Sequence, residues 1–156
     1  MRIGIVGAGM IGSTLAKLWV DAGHDVRIAS RHPEELQPVV ERLGARASAG
    51  APQDAATFGE VVLLTVPLKA VPDLARDLAQ LLAGKVVLDT GNAYDRRDGE
   101  VARLASQHPQ GSAGWAAASA RAPDSRSPTS WTRSSAASRE DRRGARARAP
   151  GAGRTP

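Results

Sequence analysis

A short glycine-rich run near the N-terminus has the spacing of a phosphate-binding turn. The run Gly7-Ala8-Gly9-Met10-Ile11-Gly12 fits the pattern G-x-G-x-x-G and lies between a predicted strand and a predicted helix. In that context Gly7 permits a tight turn, Gly9 lets the backbone approach a pyrophosphate, and Gly12 lets the helix pack close to the strand. Free N–H groups and the positive end of the helix would then face the anion. The run therefore predicts a dinucleotide site; the alternative is a tight strand-to-helix turn that binds nothing.

The residues after the second predicted strand indicate which dinucleotide is bound. Sites specific for NAD place an acidic residue there, about 20 residues after the glycines, to bind the ribose 2′-hydroxyl. This chain has Ala29-Ser30-Arg31-His32 instead. Ser30 offers a hydroxyl donor and Arg31 a planar fork that matches phosphate oxygens, so the pattern favours NADP(H). The alternative is that Arg31 is a solvated loop charge and Ser30 caps the next helix.

Two further stretches follow predicted strands. Thr65, Val66 and Pro67 come after one strand, and Asn92 comes after the next. Ligands of open α/β sheets bind outside the carboxyl ends of the strands, so we expect these four residues to border the nicotinamide half of the cofactor. Ordinary turn chemistry is the alternative. No catalytic acid or base is identified and the three histidines form no metal site, which is compatible with hydride transfer carried by the cofactor.

Alternating strands and helices are predicted to position these residues. Strands are expected at 2–6, 25–30, 47–48, 61–66 and 85–92, and helices from 10 to 22, 33 to 43, 52 to 58, 70 to 83 and 99 to 107. Pro38 conflicts with the second helix, so we expect a kink there or a late start. Strict alternation with short connections predicts an α/β fold, a Rossmann-type doubly wound parallel sheet of about five strands.

Composition divides the chain at about residue 110. Residues 1–110 hold 12 basic and 13 acidic side chains, a net charge of −1, whereas residues 111–156 hold 9 and 3, a net charge of +6. Residues 111–156 contain no Val, Ile, Leu, Met or Phe, so they have little to bury against the entropy cost of ordering. We therefore expect an NADP-binding domain over 1–110 and a disordered basic tail rich in Arg, Ala, Ser and Pro over 111–156.

Three explanations of the tail compete. We favour a shift of reading frame near residues 115–120, because out-of-frame translation of GC-rich DNA yields Arg, Ala, Gly, Pro and Ser. The second explanation is a basic arm that binds nucleic acid or anionic surfaces. The third is a linker whose partner domain is missing. Nucleic acid is not an expected partner of the neutral folded part. The chain has no cysteine, signal peptide or long apolar run, so we expect a cytoplasmic protein without membrane contact.

Four segments together resemble a known family of reductases. "MRIGIVGAGMIGSTLA", "AGHDVRIASR", "VVLLTVPLKAV" and "VVLDTGNAY" are similar, in this order, to the coenzyme F420-dependent NADP oxidoreductases. The resemblance covers about residues 1–110. It implies a Rossmann domain with NADP(H) on Ala8 to Ile11, Ser30 and Arg31 on the 2′-phosphate, and hydride exchange with a second small molecule. In the founding members that molecule is the deazaflavin F420, and many relatives have other acceptors.

The resemblance sets the expected function and its alternatives. We expect an NADP(H)-dependent oxidoreductase, or its cofactor-binding half, which transfers hydride between NADPH and a small acceptor. Family chains continue with a sixth strand and a C-terminal region that closes the substrate side, and this pattern vanishes after Gly111–Ala117. The main alternative is therefore a truncated NADP-binding remnant without turnover. A homodimer is expected only if the C-terminal region is intact.

Overall fold

The computed structural model describes residues 1–109 and the backbone of residues 130–133. Five parallel strands follow one another through the first part: β1 (Arg2–Val6), β2 (Asp25–Ala29), β3 (Ala47–Gly50), β4 (Val61–Leu64) and β5 (Val86–Asp89). All five lie where the sequence predicts strands, and the predicted strands over 61–66 and 85–92 end earlier, at Leu64 and Asp89. Their apolar and β-branched side chains suit strands that are covered on both faces.

The strand order is β3-β2-β1-β4-β5, followed by a sixth strand, β6 (Ser130–Arg133). Every pairing between neighbours is parallel. In this doubly wound order, β2 and β3 are added on one side of β1 and β4 and β5 on the other, so the direction of strand addition reverses between β1 and β4. The predicted Rossmann-type fold is therefore confirmed. The reversal leaves a crevice at the carboxyl ends of β1 and β4, where ligands of such sheets bind.

Strand β6 lies within the segment expected to be a disordered tail. It pairs with β5 in parallel, with Ser130 opposite Val86 and Arg133 opposite Asp89. The sequence does not predict this strand, because the tail lacks the apolar pattern of a strand. It can form because the edge of β5 presents unpaired N–H and C=O groups that one more strand can pair with. The rest of the predicted tail, and the site of the predicted frame shift, lie outside the described residues.

Within residues 1–109, six α-helices connect and flank the strands: α1 (Met10–Asp21), α2 (Gln37–Leu43), α3 (Pro52–Phe58), α4 (Val71–Leu82), α5 (Asp95–Asp98) and α6 (Glu100–Gln107). Helix α5 is not predicted by the sequence. Before α2, a single 3₁₀ turn covers Pro33–Leu36, and Pro38 falls at the first turn of α2. The conflict at Pro38 is therefore resolved by a late start, since proline is tolerated in a first helical turn.

Two apolar layers hold the helices to opposite faces of the sheet. On one face α1 and α2 cover Ile3, Ile5 and Ile28; on the other, α3 and α4 cover Val62 and Leu64. Within residues 1–109, no helix has both the length and the apolar character needed to cross a bilayer.

Helix α3 approaches the centre of the sheet very closely. A Cβ atom placed on Gly4 of β1 would lie 2.1 Å from the Ala55 carbonyl oxygen. The same atom on Gly59, just after α3, would lie 2.5 Å from the Gly4 backbone nitrogen. Glycine at both positions is therefore what allows the backbone of α3 to rest directly on β1.

Candidate dinucleotide-binding site

The carboxyl ends of four neighbouring strands meet along one edge of the sheet. Val6 at the end of β1 lies opposite Ala29 of β2 on one side and opposite Leu64 of β4 on the other. Leu64 in turn lies opposite Asp89 of β5. The parallel register therefore brings the glycine-rich run, Ser30 and the two strand-end loops to the same edge.

Gly7 makes the turn that leaves β1. Its φ angle is +114°, a conformation that residues with a Cβ atom rarely adopt. Its N–H donates to the Ala29 carbonyl oxygen at 2.9 Å. A Cβ atom at this position would lie 2.6 Å from both the carbonyl oxygen and Oγ1 of Thr65. Glycine is therefore required here both by the backbone conformation and by the nearness of the β4 loop.

The start of α1 is open to solvent at Gly9. Gly9 is the N-cap residue of α1, with φ −69° and ψ −171°, and a Cβ atom placed on it would meet no atom within 4 Å. The N–H groups of the first turn of α1 have no acceptor within the helix, as in any α-helix, and no side chain caps them. Met10 and Ile11 are 86% and 51% exposed beside this opening. The opening at Gly9, with the first-turn N–H donors and the positive end of the α1 dipole, forms a cradle that suits a pyrophosphate.

Gly12 sits at the contact between α1 and the turn. It is buried, and a Cβ atom on it would lie 2.0 Å from the Gly7 carbonyl oxygen and 2.8 Å from Thr65 Oγ1. The absence of a side chain therefore lets the first turn of α1 lie against the end of β1. This is the packing role that the spacing of the third glycine predicts.

Thr65 stabilises the turn through hydrogen bonds to the end of β1. Its hydroxyl donates to the Gly7 carbonyl oxygen at 2.8 Å, and its N–H donates to the Val6 carbonyl oxygen at 2.9 Å. From the other side, the Ser13 hydroxyl donates to the Ala8 carbonyl oxygen at 3.1 Å. Since the Thr65 hydroxyl hydrogen is used within the protein, the structure places Thr65 as a support of the turn. A contact of Thr65 with the cofactor stays a prediction.

We expect Thr65→Val to lower the free energy of unfolding by about 1 kcal/mol, because the Gly7 carbonyl loses a partly buried hydrogen bond while the side-chain shape is kept. Urea unfolding followed by circular dichroism measures the change. Thr57→Val is the matched control. Its hydroxyl donates to the Gln53 carbonyl oxygen on the exposed side of α3, so its loss should cost less than about 0.5 kcal/mol. Equal costs for the two variants would contradict the supporting role of Thr65.

Ser30 and Arg31 follow directly on β2, next to the turn. The Ser30 hydroxyl accepts a hydrogen bond from the His32 N–H at 3.0 Å, which leaves its own hydrogen available to a ligand. Arg31 is exposed and, among the described residues, takes part in no ion pair. His32 Nδ1 lies 3.4 Å from Glu34 Oε1, and both side chains are exposed. The structure therefore brings Ser30 and Arg31 to the edge where the adenosine half of a dinucleotide would lie.

The other predicted residues lie in the loops after β4 and β5. Val66 is half-buried and packs against the apolar core, while Pro67 is exposed and starts a 3₁₀ turn over Leu68–Ala70. Asn92 is exposed, and its main-chain carbonyl oxygen accepts a hydrogen bond from Arg97 Nη2 at 2.8 Å. Both loops border the crevice, as the positions of their strands predict, but Val66 offers little surface to a ligand.

Asp98 is a buried charge near this edge that sequence reasoning misses. It lies in "RRDG", at the end of the short helix α5, where no periodicity distinguishes it from a surface residue. Burial raises the pKa of its carboxyl, but hydrogen bonds from Arg97 and from the N–H groups of Tyr94 and Lys69 outweigh burial, so the pKa lies below its ordinary value. Asp98 is therefore an ionised carboxylate held between the two strand-end loops.

A glycine-rich turn at the reversal point of a doubly wound sheet defines this chain as a Rossmann-type dinucleotide-binding protein. The family model described as "NADP oxidoreductase coenzyme F420-dependent" matches residues 2–93. The chain belongs to this family.

Solved and curated relatives resemble the same part of the chain. A structure assigned as an F420-dependent NADP reductase from Arthrobacter sp. FB24 is 28% identical, with a TM-score of 0.54, over 60% of this chain and 46% of its own. Hypothetical protein SMa0349 from Sinorhizobium meliloti is 37% identical, with a TM-score of 0.53, over 61% and 46%. A glycerol-3-phosphate dehydrogenase [NAD(P)+] from Trichlorobacter lovleyi is 30% identical over 106 residues, 56% of this chain and 30% of its own.

Proposed function

We propose that this chain binds NADP(H) across the carboxyl edge of its sheet and serves hydride transfer between NADPH and a small acceptor. The observation that carries the proposal is the cradle at Gly9, where nothing fills the space above the uncapped start of α1. Family membership and the relatives, named as dehydrogenases and reductases that use NAD(P), support the same class of reaction. The family description also makes F420 the first acceptor to test.

In this proposal the first turn of α1 binds the pyrophosphate through main-chain N–H groups, with no side-chain charge required. Ser30 and Arg31 bind the 2′-phosphate, which distinguishes NADP from NAD. The exposed position of Arg31, away from any acidic partner among residues 1–109, leaves its guanidinium available for a bidentate contact. No acidic side chain follows β2 before Glu34, so the acidic residue typical of NAD-specific sites is absent from this loop.

The nicotinamide half would lie against the loops that follow β4 and β5. The bound cofactor supplies the hydride, and the residues of this chain orient the ring and limit its access to water. Pro67 and Asn92 are exposed in these two loops and are the residues that we assign to this region. No side chain of the chain is assigned as a proton donor or acceptor.

Two measurements on one sample test the proposal. Titration of the protein into NADPH, followed by NADPH fluorescence, should give saturable binding that is tighter than for NADH. Oxidation of NADPH with F420 or a quinone as acceptor then reports turnover. No binding of either nucleotide by the folded protein would contradict the proposal.

A second candidate function is cofactor binding without turnover. The chain spans less than half of the two solved structures named above and 27–30% of the curated dehydrogenases that it matches. Saturable NADPH binding with no oxidation by any acceptor would identify this second candidate.

A further inference from the structure

The loop after β5 holds a charge pair in which one partner is completely buried. The side chain of Asp98 has no exposed surface, whereas that of Arg97 remains 41% exposed. Arg97 Nη2 lies 2.8 Å from Asp98 Oδ2, and Arg97 Nε lies 3.1 Å from Oδ1 and 3.0 Å from Oδ2. Loss of Arg97 from this pair is costly, because it leaves the buried carboxylate of Asp98 without its opposite charge. The pair thus stabilises one conformation of this loop.

The Asp98 carboxylate connects two segments that are far apart in sequence. One oxygen accepts the N–H of Lys69, in the turn after β4, at 3.3 Å, and the other accepts the N–H of Tyr94, after β5, at 3.2 Å. Arg97 extends the connection, since its Nη2 also donates to the Asn92 carbonyl oxygen at 2.8 Å. Its guanidinium lies 4.8 Å from the centre of the Tyr94 ring. One carboxylate therefore links the β4 loop to the β5 loop.

These two loops form the walls of the crevice beyond the pyrophosphate cradle. Near the sheet, Thr90 links the two loops by donating to the Leu64 carbonyl oxygen through its N–H at 3.1 Å and its hydroxyl at 3.2 Å. Farther from the sheet, Val66 and Leu68 share an apolar cluster with Ala93, and the Asp98 carboxylate accepts hydrogen bonds from both loops. Small displacements of such walls are expected to affect the part of a ligand that lies between them and to leave the rest unaffected.

We propose that Asp98 is a positioning residue for the nicotinamide half of the site: by joining Lys69 to Tyr94, it fixes the width of the crevice without touching the cofactor. This inference rests on the proposed function. Among residues 1–109, the hydrogen bonds to the Asp98 side chain come from Lys69, Tyr94 and Arg97, and none comes from the loop after β2, where the adenosine half would lie. The role of Asp98 therefore differs from that of a residue that only stabilises the fold.

Asp98→Asn tests the assignment, with two ligands that separate the halves of the site. NADPH occupies both halves, whereas adenosine 2′,5′-bisphosphate occupies only the adenosine half. We expect the affinity for NADPH to fall about tenfold, as loss of one well-aligned interaction would cause, and the affinity for the bisphosphate to change less than about twofold. Asp95→Asn, which removes an exposed carboxylate from the same helix, should change neither affinity.

Arg97→Lys provides a second variant in case Asp98→Asn does not fold. It keeps the positive charge beside Asp98 but loses the fork that reaches Asn92, so the same selective loss of NADPH affinity is expected. A parallel loss for both ligands, or no loss for either, would overturn the positioning role. If the unmodified protein binds the bisphosphate and NADPH equally well, the inference fails while cofactor binding stands. If it binds neither, the proposed function fails as well.

Discussion

Gly12→Ala should weaken NADPH binding at least about tenfold and lower the free energy of unfolding by about 1–3 kcal/mol. The new methyl group would lie 2.0 Å from the Gly7 carbonyl oxygen, which is backbone and cannot rotate away. The first turn of α1 must therefore move away from the end of β1. That movement misaligns the N–H groups that would hold the pyrophosphate, and each charge-assisted hydrogen bond lost costs about 1.5–3 kcal/mol. Isothermal titration with NADPH and urea unfolding measure the two effects.

Gly9→Ala is the matched control, because it separates ligand contact from packing. Its φ of −69° suits alanine, and the methyl group would meet no protein atom within 4 Å. The unliganded protein should therefore keep its stability within about 0.5 kcal/mol. NADPH affinity should still fall, since the methyl group enters the space that the pyrophosphate needs. Unchanged affinity in Gly9→Ala would mean that the cradle is not the binding site.

Arg31→Ala should weaken NADPH binding by about 1.5–3 kcal/mol, which is roughly 10- to 150-fold, and leave NADH binding unchanged. The difference arises because only NADPH carries the 2′-phosphate that the guanidinium would contact. Arg31 is exposed and no ion pair among the described residues includes it, so its removal should not affect folding. Parallel fluorescence titrations with the two nucleotides measure the change.

Arg46→Ala controls for the loss of one positive charge. Arg46 pairs with Asp25 at 3.1 Å, at the start of β2 and thus at the opposite edge of the sheet. The Arg46→Ala substitution should leave the affinity for both nucleotides unchanged. An equal loss of NADPH and NADH affinity in Arg31→Ala would remove the assignment of Arg31 to the 2′-phosphate and leave the choice between NAD and NADP open.

Most of the fold is predictable from the sequence because each element carries its own local signal. Apolar runs such as "VVLL" predict buried parallel strands, and "GAGMIG" predicts the turn that joins β1 to α1. Boundaries are less predictable. The predicted strand over 85–92 ends at Asp89, where the carboxylate accepts the Gly91 N–H at 2.7 Å and begins a turn.

The site is predictable where the backbone makes it and less so where tertiary contacts do. The roles of Gly7 and Gly12 in the turn follow from their spacing, and the structure shows the crowding that each glycine relieves. For Thr65, spacing indicates its place at the end of β4 but not its hydrogen bond to Gly7, 58 residues away. Asp98 carries no sequence signal, since burial of a charge depends on Lys69 and Arg97 meeting it in the fold.

The contact of α3 with β1 limits how this sequence can change in evolution. Any side chain at position 4 would collide with the Ala55 carbonyl, and any side chain at position 59 would collide with the backbone at position 4. A lineage can accept a larger residue at one of these positions only if α3 has already moved outward. Descendants of this chain therefore carry both glycines together or rebuild that face of the sheet, whichever acceptor they come to use.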